Sequence, residues 1–256
     1  MLYADDTSFI ITNPCPIEFA YKLNKVFTNV NEWFRNNLLF LSLNKTTYLQ
    51  FQTKNSQKLC SNIKLLNNQT TSSTNTKFLG LTIEKTLSWK CHINQILPRL
   101  SLVCYAIKVI TPLMLEAIIK MIYYSYVNLI ITYSIIFWGN SRQRTDIFKI
   151  QERIIRIITK SRSRDSCRQL FKRLEILPLQ SQYIFSVLLL FVVMNKDLYT
   201  TNQEIHNITT RLNTNLHPPV CNLTVFQKGA YYLLWYEVIQ SPTTKNKKSL
   251  KWDKII

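Results

Sequence analysis

Glycine is scarce in this sequence, with 3 residues in 256, whereas an average protein contains about 7%. This scarcity argues against glycine-rich phosphate-binding loops and favours a helix-rich fold. Acidic residues are also few: 14 Asp and Glu stand against 32 Lys and Arg, so the formal net charge is +18. A charge balance this basic favours an anionic partner, nucleic acid first and a membrane surface second.

Metal-binding cysteine patterns are missing as well. The 6 cysteines contain no Cys-x-x-Cys spacing, and the Cys91-His92 pair has no second pair at zinc-finger spacing. We therefore expect reduced, mostly buried thiols in an intracellular protein rather than a zinc site. Asp5 and Asp6 interrupt the first apolar run, so we expect no signal peptide.

The sequence contains no convincing membrane span. Residues 121–138 carry no charge but include several Tyr, Ser, Thr and Asn side chains. Residues 184–194 are strongly apolar but shorter than the roughly 20 residues that a spanning helix needs. We interpret both stretches as buried helices and expect no membrane partner.

Apolar residues are present in sufficient number for a packed core. They make up 46% of the chain, which excludes a disordered protein. Helical spacing predicts a long amphipathic helix from residue 17 to about 36, and later helices starting near residues 92, 112, 146 and 180. Alternating apolar residues predict strands at 48–51 and 77–83, and the polar stretch 53–76 is expected to be irregular with at most one weak strand. The predicted fold class is α+β.

Two carboxylates stand together near the start of the chain. Residues 3–6, Tyr-Ala-Asp-Asp, lie between apolar arms and predict a tight β-hairpin with Asp5 and Asp6 at its tip. Adjacent carboxylates repel each other, and a divalent cation such as Mg²⁺ would stabilise them. A solvated turn is the alternative, because Asp is common in turns.

A basic face is predicted on the helix that starts near residue 146. Lys149, Arg153, Arg156 and Lys160 recur at spacings of four, three and four, which places four cations on one side of a helix. Phosphate contact and a merely solvated face are the two interpretations. Further cations extend this positive surface: Arg162, Arg164, Arg168, Lys172 and Arg173.

Taken in order, these segments resemble the carboxyl-terminal half of a non-LTR (LINE-type) retrotransposon reverse transcriptase. Residues 3–6 resemble the metal-binding hairpin of the palm, and residues 41–46, Leu-Ser-Leu-Asn-Lys-Thr, resemble the next palm motif with a shortened ending. Residues 78–83 and 87–89 are similar to the primer-grip segment. The palm-like motifs thus occupy the first third of the chain.

The resemblance continues into the second half. Residues 137–139 (Phe-Trp-Gly), 151–153 (Gln-Glu-Arg) and 177–179 (Leu-Pro-Leu) resemble the thumb and the region after it, and 227–229 is also similar to the family. It implies a partial palm, with a small antiparallel sheet and a long helix, at residues 1–92. A helical thumb-like domain at 93–165 and a helical or irregular region with a basic tail at 166–256 would follow.

For chemistry, the resemblance implies template-directed nucleotidyl transfer with two Mg²⁺ ions. Asp5 would be the shared metal ligand, and Asp6 a weaker ligand or a support. Tyr3 would pack beneath the primer terminus or the nucleotide. Lys45 is either a proton donor near the pyrophosphate or an ordinary surface lysine.

The implied partners are an RNA template, a DNA primer and a deoxynucleotide. Phe78, Leu79 and Gly80 would hold the primer backbone, with Gly80 allowing close approach. An ordinary core strand is the alternative for these three residues, and both can be true together.

The sequence departs from the family at its beginning. The family site needs a further Asp from an earlier palm strand, together with fingers and a nucleotide pocket, and this chain starts two residues before Tyr3. We therefore expect a truncated RNA-directed DNA polymerase, inactive alone. The alternatives are a basic helical nucleic-acid-binding module, with residues 96–175 gripping a duplex through phosphates, and a relic that does not fold stably.

Overall fold

The computed structural model describes residues 2–3, 6–13, 15–40, 42, 46–51, 64–65, 68–69, 73–190, 200, 202–207, 217, 220–227, 229–230 and 232. Helices dominate and the sheets are small and antiparallel, which confirms the α+β class. The chain divides into two compact units, Met1–Leu87 and Ser88–Ile256. This division falls shortly before residue 92, where the first domain was predicted to end, and a separate region from residue 166 stays a prediction.

The first unit begins with the predicted hairpin. Strands β1 (Leu2–Tyr3) and β2 (Asp6–Thr7) pair antiparallel, with Tyr3 opposite Asp6. The hairpin prediction is therefore confirmed, but Asp6 is the first residue of β2 rather than part of the tip. Ala4 and Asp5 lie outside the described residues.

The long amphipathic helix is also confirmed. Helix α1 runs from Pro16 to Asn36 after an extended N-cap residue, Cys15. Proline suits this first position, because its fixed φ matches the helix and the first turn needs no N–H donor. On the apolar face of this helix Leu23, Val26 and Val30 are half-buried, whereas Trp33 is exposed.

The region between α1 and residue 70 differs from the prediction in two places. Residues 48–51 form a single bridge at Tyr48 instead of a strand. The short strands β3 (Lys64–Leu65) and β4 (Asn68–Gln69) pair antiparallel within the stretch predicted to be irregular. The β3 and β4 residues are mostly polar, so apolar alternation carries no signal there.

The predicted strand at 77–83 is wrong, because the chain reverses in its middle. Strands β5 (Asn75–Phe78) and β6 (Leu81–Glu84) form an antiparallel hairpin with Phe78 opposite Leu81. The two connecting residues have positive φ, 45° at Leu79 and 77° at Gly80. Positive φ at both central residues is the type I′ geometry that matches the twist of a two-residue hairpin.

The second unit is helical throughout its described part. Its elements are α2 (Lys90–Ile110), α3 (Glu116–Ile122), a π-helix (Tyr123–Asn128), α4 (Leu129–Thr132), α5 (Ile135–Trp138), α6 (Arg144–Ile158), α7 (Cys167–Leu174), α8 (Leu179–Leu188), α9 (Asn202–His206) and α10 (Thr224–Gln227). Helices α2 and α6 pack most extensively against each other. Fully buried isoleucines and leucines from both, such as Ile93, Leu100, Ile147 and Ile154, fill the core between them.

The π-helix has a cause in the spacing of the core residues. Ile119, Tyr123, Val127 and Ile131 are all at most 1% exposed, and they recur at every fourth position. A spacing of four drifts by about 40° per turn in a regular α-helix. The wider i→i+5 turn at residues 123–128 compensates for this drift, so that all four side chains stay on the core face.

The uncharged residues 121–138 do not form one continuous helix. The helix predicted from Pro112 begins at Glu116, and the chain breaks again at residues 133–134, where Ser134 has a φ of 53°. Gly139 follows α5 but has the ordinary right-handed φ of −63°. A Cβ on Gly139 would collide with the Tyr183 ring and lie 2.6 Å from the Ile135 carbonyl oxygen, so glycine is needed there for close packing.

Among the described residues, one helix is long and apolar enough to cross a membrane by length and composition. It is α2, whose most apolar 18-residue window has a mean hydropathy of 1.3. The same helix carries six buried side chains on its core face. Core helices of soluble proteins also meet this criterion, so the finding decides nothing about a membrane.

Candidate nucleic-acid interface

The first hairpin brings together two of the predicted site residues. Tyr3 and Asp6 face each other across the β1–β2 pair, while Asp5 and Lys45 lie outside the described residues. Within the described ranges, no three His, Cys, Asp or Glu side chains are grouped closely enough to hold a metal. The backbone pairing therefore supports the hairpin, and the predicted roles of Asp5 and Lys45 stay predictions.

The segment predicted to hold the primer is a hairpin whose turn contains two of the three predicted residues. Phe78 closes β5 and is half-buried, Leu79 is half-buried within the turn, and Gly80 is exposed. In the next strand, Leu81 and Thr82 are 7% and 2% exposed. Leu81 and Thr82 of β6 therefore belong to the core, whereas Gly80 in the turn is accessible to a ligand.

This hairpin is linked to the stretch that follows α1. The hydroxyl groups of Thr47 and Thr76 lie 3.0 Å apart, and the Ser73 hydroxyl donates a hydrogen bond to the Tyr48 carbonyl at 3.4 Å. Thr47 stands two residues after Lys45 in the sequence. The chain immediately after the predicted palm motif therefore lies beside β5.

The predicted basic face is found on α6, but its cations differ in their contacts. The Lys149 ammonium lies 3.1 Å from the Asp146 carboxylate, and both side chains are well exposed. Arg156 lies 3.9 Å from the Glu152 carboxylate and donates from Nε to the Asp165 carbonyl at 3.2 Å. Arg153 is exposed and has no carboxylate partner in the part of the chain that the structure describes.

Lys160 does not belong to the helical face. Helix α6 ends at Ile158, and Lys160 has a left-handed φ of 53°. It is exposed, but its direction is set by the turn rather than by the helical repeat. The face therefore consists of Lys149, Arg153 and Arg156, and Arg153 is the member best placed to meet a phosphate.

A turn rich in arginine follows α6. The Asp165 carboxylate accepts a hydrogen bond from the Arg162 backbone N–H at 2.8 Å, which closes the turn. Arg162, Arg164 and Arg168 are exposed. Because Arg156 also donates to the Asp165 carbonyl, the turn is fixed to α6, and Arg162 and Arg164 of the turn, with Arg168 of α7, extend the positive surface.

The Gln151 side chain is a buried polar hub that the sequence patterns did not reveal. It is 1% exposed. Its Nε2 donates to the Tyr123 hydroxyl at 2.8 Å and to the Leu177 carbonyl at 3.1 Å, and its Oε1 accepts from the Leu179 N–H at 2.9 Å. Gln151 therefore joins α6, the π-helix and the start of α8, a structural role rather than a ligand contact.

Burial controls the titration of the groups around this core. It raises the pKa of the Tyr123 phenol far above its usual range, and the hydrogen bond from Gln151 opposes that shift only in part. Burial also raises the pKa of the Cys104 and Cys167 thiols, against the lowering effect of nearby Arg153 and Arg156 respectively. All the cysteines in the described ranges are free thiols, and these two are poor nucleophiles.

Two ion pairs fix the end of α7 to α3. The Arg173 guanidinium lies 2.6 Å from the Glu116 carboxylate, and the Lys120 ammonium lies 3.3 Å from the Glu175 carboxylate. The Tyr124 hydroxyl also donates to the Glu175 carbonyl at 3.1 Å. Arg173, which the sequence analysis added to the positive surface, is therefore neutralised by its partner.

No family model, no curated protein and no solved structure matches this chain. The membership in the reverse transcriptase family therefore stays a prediction from the motifs.

Proposed function

We propose that this chain carries the part of a LINE-type reverse transcriptase that begins at the metal-binding hairpin, and that it binds an RNA/DNA duplex. The observation that carries the proposal is the pairing of Tyr3 with Asp6. Strands β1 and β2 pair antiparallel, and an antiparallel hairpin at this point of the chain is what the resemblance implies. A second hairpin with an accessible turn and a basic helix follow in the order of the palm, primer grip and thumb.

The donor chemistry of the first hairpin fits Mg²⁺. Asp5 and Asp6 supply carboxylate oxygens, and Mg²⁺ is usually held by one or two carboxylates together with phosphate oxygens. When bound, two such ions would activate the primer hydroxyl and neutralise charge on the leaving pyrophosphate. Two adjacent carboxylates do not complete a two-ion site, so a further Asp would have to come from another polypeptide segment.

The remaining residues would bind and orient the nucleic acid. Gly80 has no side chain, so the β5–β6 turn can approach a primer backbone closely. Arg153 and the arginines of the turn after α6 would contact phosphates, because their charges are exposed and incompletely neutralised. Lys45 is proposed as the proton donor at the leaving group, on the resemblance alone.

Primer extension tests the catalytic part of the proposal. The purified chain is incubated with a primed RNA template, deoxynucleotides and Mg²⁺, with and without a polypeptide that carries the missing palm strand. We expect extension only in the complemented reaction, and we expect Asp5→Ala to abolish it. Complemented extension that survives Asp5→Ala contradicts the assigned role of this carboxylate.

A basic helical nucleic-acid-binding module is the second candidate. It is favoured by the compact second unit, Ser88–Ile256, which has its own hydrophobic core between α2 and α6. Salt-sensitive duplex binding without extension in any complemented reaction would support the module over the enzyme.

A further inference from the structure

Four aromatic rings at the start of α2 run from the core to the surface. Trp138 and His92 form the inner half, at 0% and 4% exposure, with ring centroids 6.5 Å apart. Trp89 lies 6.4 Å from His92 and 6.1 Å from Phe137, whose side chain is 55% exposed. The cluster therefore ends in the half-buried Trp89 and the exposed Phe137.

The backbone of Trp89 is strained. Its φ of 62° and ψ of 8° lie in the left-handed region, and the side chain makes no capping hydrogen bond to α2. This conformation costs a bulky residue about 1–2 kcal/mol. Strain of this kind persists where the surroundings enforce it, and it is concentrated at ligand-binding sites.

Phe137 is the member of the cluster that is least involved in core packing. Trp138, the neighbour of Phe137, is fully buried and donates from Nε1 to the Tyr133 carbonyl at 3.1 Å. Phe137 instead leaves more than half of its surface in water. The Trp89 and Phe137 ring centroids lie 6.1 Å apart with an angle of 30° between the ring planes, so the exposed Phe137 ring stands beside a second aromatic ring at the surface.

The sequence that contains Trp89 and Phe137 is basic. Residues 85–145 contain a single acidic residue, Glu116, and its carboxylate is already paired with Arg173. Lys90 follows Trp89 directly and is exposed, and Arg142 is exposed shortly after Phe137. An aromatic surface within an acid-poor, cationic stretch is the combination that binds single-stranded nucleic acid.

We propose that Trp89 and Phe137 form a stacking platform for an unpaired base of a single-stranded nucleic acid. The inference deepens the proposed function, on which it rests, by separating a single-strand contact from the phosphate contacts of α6. A base that stacks here would bury its apolar face against the aromatic rings, and Lys90 and Arg142 are the nearest cations in the sequence to the two rings.

The test compares three labelled ligands: a short oligouridine strand, an abasic strand of equal length, and a duplex. Phe137→Leu removes the aromatic face at an exposed position but keeps an apolar side chain, and Trp89→Ala removes the second ring. Tyr105→Ala is the matched control, because Tyr105 is 70% exposed on the same unit. Thermal melting of each variant checks that it is folded.

We expect Phe137→Leu and Trp89→Ala each to weaken oligouridine binding by about 5-fold to 150-fold, the range for loss of one stacked base. Abasic and duplex binding should change little, Tyr105→Ala should bind as the original chain does, and Phe137→Trp should retain affinity. Oligouridine affinity that survives Phe137→Leu overturns the platform. An equal loss of affinity for the abasic strand also overturns the platform. The same holds if Phe137→Leu removes self-association of the protein while oligouridine binding persists.

Failure of the parent proposal is distinguishable from failure of the platform. If the unsubstituted chain binds neither duplex nor abasic strand at low salt, the nucleic-acid function itself is refuted and the platform with it. If it binds both, and the Trp89 and Phe137 variants bind oligouridine normally, only the platform is refuted.

Discussion

The buried amide of Gln151 donates a hydrogen bond to the Tyr123 hydroxyl at 2.8 Å, across 28 positions of sequence. The same side chain satisfies the Leu177 carbonyl and the Leu179 N–H. One residue thus provides hydrogen-bond partners for two buried groups, the Tyr123 hydroxyl and the Leu179 N–H, and for the part-buried Leu177 carbonyl. This arrangement makes Gln151 the residue on which the packing of α6, α8 and the π-helix depends.

Gln151→Ala should lower the free energy of unfolding by about 3 kcal/mol, because each buried polar group left unpaired costs roughly 1–3 kcal/mol. Urea denaturation followed by circular dichroism measures the change. Gln180→Ala, at an exposed position of α8, is the control and should change stability little. Equal stability of the two variants would contradict the structural role of Gln151. A non-cooperative transition in the original chain would support the alternative that the chain does not fold stably.

The β5–β6 turn predicts that Leu79→Asn stabilises the protein. Asn tolerates positive φ and is preferred before Gly in type I′ turns, whereas Leu is strained at a φ of 45°. We expect a gain of about 1 kcal/mol for Leu79→Asn, and a loss for Leu79→Val because a branched Cβ is worse still. Thermal unfolding ranks the three proteins, and a Val variant as stable as the Asn variant would exclude this turn geometry.

The two arginines of the α6 basic face should differ in role: Arg153 should bind the duplex and Arg156 should stabilise the fold. Arg153→Ala should weaken duplex binding alike for all sequences and reduce the salt slope by about 1, while Arg153→Lys should retain the slope. Arg156→Ala should instead lower stability by about 1 kcal/mol, because it removes the hydrogen bond to Asp165. Binding isotherms at several salt concentrations measure the salt dependence of duplex affinity. An unchanged slope for Arg153→Ala would refute phosphate contact by this residue.

Stability should fall on mild acidification because of His92. Burial lowers the pKa of this imidazole below its usual value, so the folded protein keeps it neutral while the unfolded chain takes up a proton near pH 6.5, roughly its unperturbed pKa. The free energy of unfolding is therefore expected to decrease as the pH falls below about 6.5, until the folded-state pKa is reached. His92→Phe should flatten this dependence.

Urea titrations at a series of pH values measure that slope. His217→Phe replaces a histidine outside the helical core and serves as the control, which should retain the dependence of the original chain. If His92→Phe leaves the slope unchanged, the acid sensitivity belongs to other groups.

Sequence patterns predicted the elements whose signal is local. The helical spacing of α1 and the Pro16 start appear in the structure as predicted, because an amphipathic period and a proline at the first turn need no distant partner. The reversal at Leu79 was missed for an equally local reason. A leucine is not expected at positive φ, so the Leu-Gly step lacks the Asn-Gly or Asp-Gly signature by which such turns are recognised.

By itself, the sequence determined the α+β class, the long first helix, the first hairpin and the resemblance on which the proposed function rests. Only the tertiary structure decided which polar and aromatic side chains are buried in the core. Gln151 and Arg153 stand two residues apart, yet one is buried in a hub and the other is exposed. Of the adjacent residues Trp138 and Phe137, the first is buried and the second is exposed. Burial depends on which helices pack against each position and not on residue type.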